Sequence, residues 1–563
     1  MSELNVTINV VVLFVVWGVG VFDSFTEEEK AILEPFFTNL DKDVFALRNL
    51  PEVVKGALFA RYSRSDKSLR RVLLDEFIKK PEMGFKQIVR MQTDSGVDQI
   101  VAIQKAEEFY ERVLIGFGDD SVAELGGAHL AVENISNIAT KVIEDARIGI
   151  CPLEKSTRYV YFDQKPGGKY MYYRDKDIME SRFADLYINT MDMLFDTYSS
   201  FIEPMRKFLM ERFPNEGMSE RAYKSTIRAK VCDIIRVLLP TGTLTNVGLF
   251  GNGRAFDYLL TKMYAHPMRE MRDLAAAMQE ELRKVIPPFV KRCNDEKHGK
   301  PHQAFLRDKW TIARLSKEIL RDLTETDDKE SLRLIDYDKD AETKVVAAIL
   351  YPMSSLPMAK IREKVARMSS AERKKVINAY VAGRTNRRHK PGRAFENVYY
   401  TFDILGDYGI YRDIQRHRIL TQERQLITTK HGYDVPVEIE DADLADKFRE
   451  AMDAAAVAFE KISTVMPLQA QYVVPMGYKI RWYITMNLRE AYHLCELRTC
   501  MQGHPTYRKL AQNIYKKIKE VHPVLAEGMK FVDMNDYSLE RKEAEKRIDK
   551  KIEEIKRKYG YQK

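Results

Sequence analysis

The chain has 563 residues, 45% of them hydrophobic and 31% charged. That length exceeds one ordinary core, and that composition excludes a disordered chain. Basic and acidic residues nearly balance, 91 against 83 for a net charge of +8, so no general nucleic-acid surface is demanded, although local anion sites stay open.

Five cysteines (Cys151, Cys232, Cys293, Cys495, Cys500) form no CxxC pair. They fit a reducing, cytoplasmic setting without structural zinc, and no metal site is expected. Asn5–Phe22 is apolar and rich in Val, has no Lys or Arg before it, and is interrupted by Gly18 and Gly20. It barely reaches the length of a bilayer span. A membrane contact follows only if residues 5–22 are native. A start placed too far upstream, with the folded protein beginning near Phe25, is preferred, because Thr26–Glu29 reads as a capping box. Residues 26–115 carry Leu, Phe and Val at helical spacing.

Asp120–Arg147 is expected to be one long amphipathic helix. Val122, Leu125, Val132, Ile135, Ala139 and Ile143 recur near the helical period, and Gly149 and Pro152 stop it. Glu154–Tyr161 should turn strand-like at its end. Residues 165–230 read as a helical insertion whose Met and aromatic residues belong to a core. Glu325–Asp340 is acidic and polar, as a linker would be, and Ser369–Glu372 is a second capping box. Tyr537–Lys563, dense in Lys and Glu at i,i+4 spacing, predicts an exposed helix with no chemistry.

The order of features recurs. Glu124 precedes Arg147 by 23 residues and Glu396 precedes Arg418 by 22. Pro240 lies 12 residues before Asn252, as Pro475 does before Asn487. Asn252-x-Arg254 and Asn487-x-Arg489 are each followed by a His-Pro pair, His266-Pro267 and His504-Pro505. The chain therefore reads as a diverged tandem duplication, with residues 25–330 and 343–535 as its halves. Residues 1–24 would extend the first half, 331–342 would link the two, and 536–563 would form the charged tail.

The repeated motifs resemble the flavin-dependent thymidylate synthases, the ThyX family. The resemblance covers most of residues 50–320 and 340–530. In the first half Ser121 and Glu124 match the flavin-side Ser/Thr-x-x-Glu. Glu154, Ser156, Arg158 and Tyr159 match the nucleotide-binding Glu-x-Ser-x-Arg-Tyr. Arg236 matches the arginine before Leu-Pro, and Asn252 and Arg254 match the flavin-facing Asn-x-Arg. The Arg-His-Arg triplet has become Asp145-Ala146-Arg147. In the second half Arg416-His417-Arg418 is intact, and Glu396, Asn487, Arg489 and Arg498 match family positions. There Leu426 stands where the signature places its serine, and Gln471 replaces the arginine before the proline.

The resemblance implies an α+β fold: two ThyX-like repeats, each with long helices on a mainly antiparallel sheet, forming a pseudo-dimer. It also implies conversion of dUMP to dTMP, with methylenetetrahydrofolate as carbon donor and NADPH reducing equivalents passing through FAD. Arg416, His417 and Arg418 would be catalytic. Glu154, Ser156, Arg158, Arg236 and Arg498 would bind substrate. Ser121, Glu124, Asn252, Arg254, Glu396, Asn487 and Arg489 would bind the cofactor. Since the family's triplet and its Glu-x-Ser-x-Arg come from different chains, fused halves can keep one composite site while the other decays to Asp145-Ala146 opposite Leu426. Two chains would then make a pseudo-tetramer.

The chemistry suits these residues, because forked guanidiniums grip a phosphate dianion bidentately and a cation beside a flavin stabilises its reduced anion. Plainer readings stand beside each motif. Glu124 and Glu396 would serve as dipole-favoured carboxylates at helix starts, Arg236 as an ion-pair partner, and the Asn-x-Arg pairs as turns. An inactive descendant that binds flavin or nucleotide as a regulator or scaffold is one alternative function. A nucleic-acid binder using Arg61–Arg71 and Arg384–Arg393 is another, although no nucleic-acid partner is expected.

Overall fold

The computed structural model describes residues 24–63, 65–80, 120–308, 311–323 and 330–559. The apolar stretch 5–22 lies outside the described residues. Among the described residues no helix is long and apolar enough to cross a membrane.

The chain divides into two units. The first comprises Met1–His129, Phe250–Thr261 and Ala276–His302. Its described part opens with α1 (Glu27–Leu33), where Thr26 and Glu29 form the expected reciprocal capping box. Helix α2 (Glu52–Tyr62) follows and buries Val53, Val54, Ala57 and Leu58.

The second unit comprises Leu130–Leu249, Lys262–Ala275 and Gln303–Lys563 and holds most of both halves. In the first half the order is β1 (Gly127–Ser136), α3 (Asn137–Glu144), β2 (Ile150–Glu154), α4 (Ala184–Arg212), α5 (Glu220–Ile235), β3 (Leu244–Asn252), α6 (Gly253–Ala265) and α7 (Arg269–Arg283). The strands form a sheet in the order β1–β3–β2.

The expectation of one long helix over Asp120–Arg147 is corrected here, because strand β1 occupies its middle and only α3 is helical beyond it. The reason is local. Gly126-Gly127 breaks the helix, and at Gly127 a Cβ would come within 2.9 Å of the Gly251 carbonyl, so the chain can only pass there as a bare backbone. Ser136 then caps α3 by accepting from the Ala139 N–H. The strand expected late in Glu154–Tyr161 also lies elsewhere, since β2 ends at Glu154.

The second half runs β4 (Leu332–Tyr337), α8 (Ala341–Leu350), α9 (Ser370–Val381), β5 (Tyr399–Asp407), α10 (Tyr408–Gln415), β6 (Thr421–Arg424), α11 (Ala445–Ser463), β7 (Lys479–Asn487), α12 (Leu488–Arg498), α13 (Pro505–Val521) and α14 (Lys542–Tyr559). Residues 331–342, expected as a linker, carry the edge strand β4, whose backbone pairs with β5. The sheet order is β4–β5–β7–β6, antiparallel at each pairing. Strand β7 alternates polar and apolar residues, and Ile480, Trp482, Ile484 and Met486 are buried while Tyr483 faces out. The Ser369–Glu372 capping box starts α9 as expected.

The two halves repeat one another element by element. The segment β1–α3–β2 matches β5–α10–β6, the long helices α4 and α11 pack on each other, and β3–α6–α7 matches β7–α12–α13. At their junction Pro240 and Pro475 face each other in an antiparallel bridge. The N–H of Thr241 donates to the Val474 carbonyl, and that of Met476 donates to Leu239. One step further, Gly242 donates to Tyr472 and Gly477 to Val237. Each bond has its mirror partner at the equivalent residue, as a pseudo-twofold relation demands. Both glycines are needed there, since a Cβ at Gly242 would lie 2.8 Å from the Tyr472 carbonyl and one at Gly477 would lie 3.1 Å from that of Val237.

Candidate functional site

The residues that converge lie at the C-terminal end of α10 and in the loop after β2. Asp407 caps α10 through the Ile410 N–H, and Arg416-His417-Arg418 follows the helix directly. Asp413, one turn before Arg416, is buried and is the focus of the arrangement. Arg416 pairs with its Oδ1, and Arg236 Nη2 lies 3.8 Å from its Oδ2. Burial alone would raise the Asp413 carboxyl. The guanidiniums of Arg416, Arg236, Arg498 and Arg158 outweigh it and hold the group far below the usual carboxylate range. Arg158 and Arg236 from the first half and Arg416 and Arg498 from the second thus all act electrostatically on one internal carboxylate, the two nearest being Arg416 and Arg236.

His417 is sequestered. Arg498 Nε donates to His417 Nε2 at 2.8 Å, which places the ring proton on Nδ1, where it donates to Glu490 Oε1 at 2.7 Å. Burial and the Arg498 charge push the imidazolium down to about 4, so the ring is neutral at pH 7. Hydrogen bonds from His417 and His493 overcome burial and hold Glu490 down to about 2. Glu490 and Arg498 bracket the imidazole from one face of α12, about two turns apart. Ligand atoms of His417, Glu490 and His493 lie within 4.8 Å of one another, but both nitrogens of His417 are already engaged. Arg418 turns the other way and donates to the Ile150 carbonyl at 2.8 Å.

At the end of β2 the Glu154 side chain is buried and accepts from Asn137 Nδ2, Lys141 Nζ and Arg412 Nη2, each at 2.9 Å. Burial would raise this carboxyl, but Arg412 and Lys141 bring it to about 2. Ser156 Oγ accepts from the Arg158 N–H. Arg158 forms a fork with Asp233, with Nε and Nη2 each at 2.6 Å, and donates through Nη1 to the Gln502 carbonyl. Hence Glu154, Ser156, Arg158, Arg236, Arg416, His417 and Arg498 share one neighbourhood.

The cofactor-side residues fall in separate places. In the first unit Arg254 Nη1 pairs with Glu124 at 2.8 Å. In the second Arg489 Nη1 pairs with Glu396 at 3.2 Å, and its Nε donates to the Pro391 carbonyl. Asn252 and Asn487 cap α6 and α12 through the N–H groups of Ala255 and Glu490, so one side-chain oxygen of each is used in the fold. The Ser121 side chain lies outside the described residues. Arg384, from the basic run, is buried in a pair with Glu496.

Sequence reasoning missed Asp233, Asp413, Lys141, Arg412 and Glu490. Two signals were available. Asp413 and the C-cap Arg416 stand at i,i+3 across the end of α10, and Glu490 and His493 stand at i,i+3 on α12. Lys141 and Arg412 each lie five residues after a helix cap, Ser136 or Asp407.

The decayed site also differs from expectation. Asp145 is opposed not by Leu426, which is exposed, but by Arg424, whose Nη1 lies 2.9 Å from Asp145 Oδ2. The cause is register. Lys155 donates to the Asn246 carbonyl on β3, and Gln425 donates to the Arg481 carbonyl on β7. Asn246 and Arg481 are equivalent, which makes Arg424 the counterpart of Glu154.

Residues 72–288 and 333–524 match the family model described as thymidylate synthase complementing protein. A UPF0159 protein of Chlamydia pneumoniae is 45% identical over 536 residues, covering 94% of this chain and 99% of the relative. A UPF0159 protein of Thermoplasma acidophilum is 34% identical over 520 residues, 88% of this chain and 98% of that protein. A flavin-dependent thymidylate synthase of Geobacter sulfurreducens is 26% identical over 204 residues, 34% of this chain and 84% of the enzyme. With two matched segments that follow the two structural halves, the chain belongs to the thymidylate synthase complementing protein (ThyX) family as a tandem duplication of its domain.

Proposed function

We propose that the chain is a flavin-dependent thymidylate synthase that converts dUMP to dTMP at one composite site, in the cytoplasm and as a homodimer of fused halves. The observation that carries this reading is the convergence of Arg158, Arg236, Arg416 and Arg498, drawn from both halves, on the buried Asp413. A cluster of guanidiniums around a small buried carboxylate is a site built for an anion, and a phosphomonoester offers more acceptor oxygens than Asp413 does. On this reading Ser156 and Arg158 take the phosphate, with Arg236 and Arg498 toward the base. Glu154 orders the loop by holding Arg412 and Lys141. The neutral His417, its proton fixed on Nδ1, keeps the Arg498 guanidinium in position.

A flavin would be held by Arg489, Asn487 and Glu396, and by Ser121, Glu124, Asn252 and Arg254. Exposed guanidinium donors suit its anionic groups, and the Glu–Arg pair recurs at equivalent positions, Glu124–Arg254 and Glu396–Arg489. When bound, FAD would carry reducing equivalents from NADPH to the carbon that methylenetetrahydrofolate delivers.

A second reading, a catalytically silent nucleotide binder, has one observation in its favour: Asp413 already supplies an anion to the cluster. The nucleic-acid reading loses Arg384 to the pair with Glu496. Purified protein incubated with dUMP, methylenetetrahydrofolate, FAD and NADPH should oxidise NADPH only when dUMP is present and should form dTMP. Binding of dUMP without product formation would favour the silent reading.

A further inference from the structure

The segment Asp536–Glu545 lies beyond the two stretches that match the family, which end at residue 524. It brings Arg541 onto the loop that carries Ser156 and Arg158. The Arg541 guanidinium lies 4.3 Å from the centroid of the Tyr159 ring, next in sequence to Arg158. The segment is fixed on either side. Glu540 is buried and pairs with the buried Lys230 at 3.1 Å, and Asp549 pairs with Arg221 at 2.5 Å.

Several of the arginines around this site carry a counter-ion. Arg158 has Asp233, Arg412 has Glu154, Arg416 has Asp413 and Arg424 has Asp145. Among the described residues Arg541 makes no side-chain hydrogen bond or ion pair, and its Nε is buried without a partner. Burial and the charge of Arg158 act against its cation and outweigh the favourable charge of Glu545. A guanidinium held by its neighbours, stacked on an aromatic ring and left with an unmet buried N–H is poised for an acceptor the chain does not supply.

We propose that Arg541 is a further anion-binding residue of the nucleotide site, reaching from the C-terminal segment to the phosphate that Ser156 and Arg158 hold. This rests on the nucleotide-binding reading above. An anion between Arg158 and Arg541 would relieve the repulsion of the two cations and meet the orphaned N–H. The tail would then be part of the binding site instead of an inert exposed helix.

The test uses the full chain and its Arg541→Ala, Arg541→Gln and Arg541→Lys variants, titrated with dUMP and separately with deoxyuridine, which lacks the phosphate. Arg541→Ala or Arg541→Gln should weaken dUMP binding by about tenfold or more, the loss of a charge-assisted hydrogen bond, with Arg541→Lys between them and wild type. Deoxyuridine binding should change less than about twofold. Unchanged dUMP affinity in a folded variant overturns the inference while leaving the nucleotide reading intact. Equal weakening of dUMP and deoxyuridine also overturns it, by showing that Arg541 acts only through packing on Tyr159. Failure of the wild-type chain to bind dUMP removes the nucleotide reading, and the inference with it.

Discussion

Arg424 and Asp145, 2.9 Å apart, are the charge-reversed image of Glu154 and Arg416. Asp145 stands nine residues after the cap Ser136, as Arg416 does after Asp407, and Arg424 occupies the β6 position that Glu154 has on β2. Arg424 also donates to Tyr411 Oη at 2.9 Å. The pair satisfies itself and leaves no surplus cation. Calorimetric titration should therefore give one dUMP per chain. Two equivalent sites per chain would mean that the ion pair does not close the second position.

Asp413 occupies the place an anionic ligand would compete for. Asp413→Asn should lower stability by about 2–3 kcal/mol, below the range for a fully buried pair because Arg416 is 45% exposed. The same change frees Arg416 and Arg236 and should tighten dUMP binding. Thermal melts with and without dUMP check both signs, and a variant that melts lower yet gains more from dUMP is the expected result.

Arg416 opens the intact triplet, whereas Arg147, the counterpart of Arg418, closes the decayed one, and their surroundings differ. Among the described residues Arg147 donates only to the backbone carbonyls of Arg418 and Ile419. Arg416→Ala should weaken dUMP binding by about tenfold or more, whereas Arg147→Ala should stay within about twofold. Equal losses in the two titrations would contradict the division of labour between the halves.

Buried histidines set the acid limb. Burial, followed by a nearby arginine, pushes His266 and His417 down to about 4 and His504 to about 3. These rings are neutral in the fold but take up protons below their ordinary 6.5 when unfolded. Stability is therefore full above pH 6.5 and falls as pH drops toward 4, at up to about 1.4 kcal/mol per pH unit for each ring. Glu154 and Glu490, held near 2, add a separate loss below about pH 4.5. The melting temperature should drop between pH 7 and pH 5, and His504→Gln should narrow the drop. A flat profile over that range would contradict the buried-neutral assignment.

Much of the second half was legible because motif order survives when surfaces diverge. Pro240 and Pro475 were paired from spacing alone, and they meet in the fold. In Asp120–Arg147 the apolar residues fit the helical period, yet the Gly126-Gly127 pair interrupts it and strand β1 follows. Leu426 is the counterpart of Ser156, as the signature places it, but Asp145 meets the glutamate position, held by Arg424, and not the serine position; Glu154 lies 18 residues after its cap and Arg424 lies 17 after its own. Arg147 and Gly149, with φ of 59° and 90°, lie in the stretch that carries the extra residue in the first half.

The sequence by itself determined the duplication, the family and which half kept each motif, because those are matters of residue type and order. It could not say which charges neutralise one another. Asp233, Asp413, Glu490 and Arg424 acquire their roles only when chain segments tens to hundreds of residues apart are brought within a few ångströms. Coulomb forces and desolvation depend on that separation in space and carry no trace of the separation along the chain.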